Sequence, residues 1–128
     1  MPHLENYKTA IVAVDDRLKD SGYLKHWEFD RKSLHYWTWK KDDEDKGLQY
    51  AIRVSLESSG GLEVLTATFD ESKYTKARLG RIETGRIPSQ QYIDRLCVLV
   101  DDAIKYNSNM THETLTHEMH ESIIGRSH

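Results

Sequence analysis

The sequence predicts an α+β fold, a two-layer sandwich in which helices cover an antiparallel sheet, with elements in the order α-β-β-β-α-α. Apolar residues near both ends of the chain recur at helical steps of three and four, whereas those in the middle alternate. The links between the alternating segments are short, and links of that length join only antiparallel neighbours. With 128 residues, the chain fits one domain, 1–128, that can bury a core without disulfides or a structural metal, and 107–128 form its peripheral C-terminal helix or tail.

Leu4, Tyr7, Ile11, Val14 and Leu18 share one face of a first helix, which Gly22 ends. Trp27–Asp30 reads as a short extra strand or as the turn into the next one, so the sheet has three strands, or four if that segment joins it. From Leu34, "LHYWTWKK" is aromatic and rich in strand formers. In "LQYAIRVSLE", Leu48, Tyr50, Ile52, Val54 and Leu56 fall on one side, with Gln49, Arg53 and Ser55 on the other. The acidic "KDDEDKG" and the glycine-bearing "SSGG" supply hairpin turns, and "LEVLTATFD" completes the meander. Pro88 and Ser89 open a central helix whose stripe is Ile93, Leu96, Cys97, Val100 and Ile104. A third helix starts at Thr111 and runs through Leu115, Met119 and Ile123 to Gly125.

Composition narrows the function classes. No apolar run approaches the ~18 residues of a membrane span, and the first residues lack a secretory pattern, so the expected location is cytoplasmic. The lone Cys97 lies in the apolar run "IDRLCVLV" and reads as a core thiol rather than a nucleophile. No serine sits in a GxSxG elbow, and "GRIETG" lacks the spacing of a phosphate or dinucleotide loop. Asp15–Asp16, the acids from Asp42 to Asp45, and Asp101–Asp102 read as solvated surface. The expectation is a non-enzymatic protein without a cofactor. In the tail, Glu113, His117, His120 and Glu121 share one polar helical face with ligand types that suit zinc. The HExxH spacing is absent, however, and the favoured reading is a solvated face with no metal.

Two features point to a partner. Lys73, Lys76, Arg78, Arg81 and Arg86 cluster in what reads as a loop between the third strand and the central helix, although the net charge of the chain is -3. Trp37 and Trp39 lie on the side of their strand opposite Tyr36; one side is core, and the other is covered by the Trp27 segment or open to a partner. The expected function is that of a small protein-binding module (a regulator, inhibitor or immunity-type protein) that sets its cationic loop, Trp37 and Trp39 against an acidic protein surface. The alternative is nucleic-acid binding, since the order αβββα is shared with double-stranded-RNA-binding domains; the overall acidity weighs against it. A homodimer would cover the sheet edges and an aromatic face. A small-molecule pocket leaves no mark in a sequence.

Overall fold

The computed structural model describes residues 4–31, 34–57, 60–70, 74–82, 89–111 and 113–114. A 3-10 turn (Leu4–Tyr7) leads into α1 (Lys8–Asp20). Then come β1 (Leu24–Arg31), β2 (Leu34–Asp43), β3 (Leu48–Leu56), β4 (Leu62–Phe69), β5 (Tyr74–Ile82) and α2 (Gln90–Ser108). The strands form one antiparallel sheet in chain order, β1-β2-β3-β4-β5. The α+β class stands, but the sheet has five strands rather than three or four, and the described elements run α-β-β-β-β-β-α. The optional strand at Trp27–Asp30 is present as the longer β1, and the segment read as a cationic loop is itself β5. Each edge carries a bulge: pairing skips His26 in β1 and Leu79 in β5. A bulge resets the alternation, which conceals a strand from any period-two reading.

The helices form where their stripes predict. α1 buries Ala10, Ile11, Val14 and Leu18. Gly22 ends it with φ of 87°, its N–H donating to the Lys19 carbonyl (3.0 Å) while that of Tyr23 donates to the Leu18 carbonyl (2.9 Å). The Ser89 hydroxyl accepts the Tyr92 N–H (3.2 Å) and so caps α2, which buries Tyr92, Ile93, Leu96, Cys97, Val100, Ala103 and Asn107. α2 lies across β3, β4 and β5. Gly80 permits the approach to β5, because a Cβ there would stand 2.8 Å from Cδ2 of Leu99. Cys97 is a buried thiol whose pKa burial raises, as suits a core residue. The Thr111 hydroxyl accepts the Thr114 N–H (3.1 Å), as the cap expected of a third helix would; the residues expected to continue it, His117, His120 and Glu121 among them, lie outside the described residues. Among the described residues, no helix is long and apolar enough to cross a membrane.

Both helices cover the same side of the sheet. On that side lie Trp37, Val54 and Val64 in one row, Trp39 and Ile52 in the next, and Leu62 opposite Leu56, all buried. α1 and α2 are joined to each other by an Arg17–Asp101 ion pair (2.7 Å), and α2 reaches the start of β1 through Asn107, which donates to the Tyr23 hydroxyl (3.0 Å). Burial pushes that phenol up to about 12. The indole N–H of Trp39 donates to Asp15 Oδ1 (2.8 Å), pinning α1 to the middle of the sheet.

Asp15 carries a testable pH signature. Burial by itself would raise its pKa, but the Trp39 indole and the Lys19 ammonium, 2.9 Å away, together hold it below the ordinary 3.8. A depressed carboxylate stabilises the fold above its unfolded pKa, and that contribution disappears as pH falls through the lowered native value. The stability cost of Asp15→Asn should therefore be largest near neutral pH and shrink as pH drops below ~4. Urea unfolding of both proteins across this range checks it, and a cost that does not vary with pH would refute the assignment.

Candidate functional site

The helices leave the other side of the sheet uncovered, and strand register arranges its side chains in rows that cross the strands. One row runs Trp27, Thr38, Arg53, Leu65, Arg78. The next runs Leu24, Lys40, Ala51, Ala67, Lys76. On the far side of the first row lies Phe29, Tyr36, Ser55, Glu63, Arg81. Beyond the second, Asp42, Gln49, Phe69 and Tyr74 close the face at the acidic hairpin.

Side-chain size shapes this face. Ala51 and Ala67 are neighbours in the middle of their row, and the residues around them are long or aromatic, so a depression of about 340 Å³ forms above the alanines. That volume falls within the range of ligand sites. Its floor is shielded although no helix covers it: Thr38 is only 6% exposed and Ala51 7%. The Thr38 hydroxyl in that floor has no hydrogen-bond partner. Tyr36 forms one wall, stacked on Phe29 (4.8 Å between centroids) and overlaid by the Arg53 guanidinium at 4.0 Å. Trp27, 55% exposed, stands at the rim.

Charge on the face is unevenly compensated. Arg78 pairs with Glu63 and Arg81 with Glu57. Lys40, Arg53 and Lys76 have no carboxylate partner among the described residues, and all three line the depression. The opposite pole is acidic, with Asp42, Asp43, Glu44 and Asp70 around the end of the β2–β3 hairpin. The result is a cationic cavity bordered by an acidic turn.

The residues expected to meet a partner divide accordingly. Lys76, Arg78 and Arg81 all reach the open face, as strand rather than loop residues; the Leu79 bulge puts Arg78 and Arg81 on one side although they are three apart. Lys73 and Arg86 lie outside the described residues. The expectation that Trp37 and Trp39 are exposed is corrected: they are 5% and 0% exposed, because register puts them opposite Val54 and Ile52 beneath the helices. Among the described residues, the exposed large aromatics are Trp27 and Tyr74 instead. Sequence reasoning missed Lys40, Arg53 and the two alanines as a group, because only cross-strand register brings them together.

A second cluster lies on the helix side, where buried His35 sits between Asp30 (Nδ1 to Oδ1, 3.2 Å) and Glu28 (Nε2 to Oε1, 3.8 Å). The two carboxylates approach different ring nitrogens and so do not converge on one point. Among the described residues, no group of three or more His, Cys, Asp or Glu is placed to hold a metal ion. No family model matches the chain, and no curated protein or solved structure is found to be similar to it.

Proposed function

We propose that the protein is a non-enzymatic recognition module that binds an acidic segment of another protein on the open face of its sheet. The observation that carries this reading is the uncompensated Lys40, Arg53 and Lys76 around an aromatic-walled depression, in a chain whose net charge is -3. Cations kept apart from carboxylates steer and orient an anionic partner. Trp27 and Tyr36 add the rigid, amphipathic surface that anchors interfaces.

A nucleic-acid reading draws on the same face, because aromatics among cations also stack and neutralise single strands. The readings separate on defined probes: labelled poly-Glu and labelled oligothymidylate, each titrated with the protein at low and high salt. Wild type should bind poly-Glu, more weakly at high salt. The combined Lys40→Gln, Arg53→Gln, Lys76→Gln variant should bind it about tenfold or more weakly. Arg78→Gln should weaken it less, since Glu63 already occupies that guanidinium. Preference for oligothymidylate would favour the nucleic-acid reading, and binding unaffected by the three-site variant would remove the open face from consideration.

A further inference from the structure

We propose that the depression is the anchor of this contact and that it takes an aromatic side chain flanked by carboxylates two residues to either side, in an extended segment lying across the strands. The inference rests on the open face being the partner surface, and it specifies what the partner presents. Lys40 and Lys76 flank Ala51 and Ala67 in their row, with Leu24 beyond Lys40. They stand three strands apart, so their backbones are separated by about 14 Å at ~4.8 Å per strand. An extended chain rises ~3.3 Å per residue and alternates sides, so residues i, i+2 and i+4 face the same way, with i and i+4 about 13 Å apart. Acids at i and i+4 then meet the two ammonium groups while the residue at i+2 sits over the alanines. A helix would need its acids about nine residues apart to span the same distance, because its i and i+4 side chains are only ~6 Å apart.

The depression selects what stands at i+2. Its volume of about 340 Å³ accommodates a large ring, and the two alanines leave the floor without projecting side chains. The Arg53 guanidinium, already over the Tyr36 ring at 4.0 Å, is a planar cation at the wall against which a second ring can stack. The Thr38 hydroxyl, buried and without a partner, gains one from a polar group of the segment, such as a tyrosyl hydroxyl or a backbone carbonyl. Asp42, Asp43, Glu44 and Asp70 line the neighbouring hairpin end and repel further carboxylates there, so the acids are confined to the row that holds the two lysines.

The test uses synthetic nine-residue peptides built on Gly, Ser and Ala. The lead peptide has Glu at its third and seventh positions and Phe at its fifth. Calorimetry measures affinity, and amide shifts of the isotope-labelled protein locate the contact. Replacing the Phe by Ala should raise Kd about tenfold, as should moving the two Glu next to the Phe. Ala67→Leu, which fills the floor and raises strand propensity, should weaken the lead peptide to a similar extent with its thermal midpoint unchanged. Should that variant unfold, the shifts decide instead: the inference requires them at Ala51 and Ala67, and shifts confined to the hairpin overturn it. Equal affinity of the Phe and Ala peptides also overturns it. In that event, retained poly-Glu binding that the lysine substitutions abolish leaves the broader reading intact, whereas loss of poly-Glu binding removes both. Tighter binding of oligothymidylate than of the lead peptide overturns the inference in favour of a single strand.

Discussion

Trp39→Ala is expected to destabilise the protein by about 3–5 kcal/mol, among the largest losses any single truncation should produce. Trp39 is 0% exposed and sits between β1 and β3, opposite Lys25 and Ile52. Removing the indole opens a cavity beneath α1 and also takes the hydrogen bond from Asp15, whose remaining partner is the mostly exposed Lys19. The two contributions separate by substitution. Trp39→Phe keeps a ring and loses the donor, so it should cost less, on the order of 1–3 kcal/mol. Because Trp39 itself fluoresces, unfolding is best followed by far-ultraviolet circular dichroism in urea. An alanine variant that loses less than about 1 kcal/mol would mean that the residue is not the centre of the core.

The second large effect should come from α2. Leu96→Ala is expected to cost about 2–5 kcal/mol, because Leu96 is 0% exposed on the helix face that lies against the sheet. Val98, two positions on, is 57% exposed, and Val98→Ala should lie within about 0.5 kcal/mol of wild type. The pair tests the rotation of the helix: the same helix, almost the same position along its axis, opposite faces. Equal costs would show that α2 is turned about its axis relative to the sheet.

Much of this architecture is legible in the sequence because it follows from two periods. The helical stripes, the Gly22 stop and the Ser89 cap lie where their patterns place them, and β3 alternates from Leu48 to Leu56 as it reads. The edge strands are hidden for a physical reason. β1 mixes Lys25, Glu28 and Asp30 with its aromatics and slips register at His26. β5 is crowded with cations and slips at Leu79. A half-solvated edge needs few apolar residues, so β1 shows only as a short optional strand at Trp27–Asp30 and β5 reads as loop. The candidate site is legible only in fragments. Arg53 reads as facing away from the core, and alternation puts Tyr36 and the tryptophans on opposite sides. Which side is core follows from pairing Trp39 with Ile52, a long-range fact that no local window contains.

The order of the strands has a consequence for how the chain finds its structure. Every strand pairs with its neighbour in sequence, so the sheet grows by hairpins that close short loops at little entropic cost. The helices are different: Tyr23 meets Asn107, and Arg17 meets Asp101, across a sequence separation of 84. These contacts close a loop that spans most of the chain, and they join helices whose neighbouring strands, β1 and β5, lie at opposite edges of the sheet. From local-first pairing we expect the sheet to form early and the docking of α2 against α1 to come late, an order that chevron kinetics of variants in each region would check. Substitutions at the Tyr23–Asn107 contact then act mainly by hastening unfolding, while those in the central hairpins act by slowing folding.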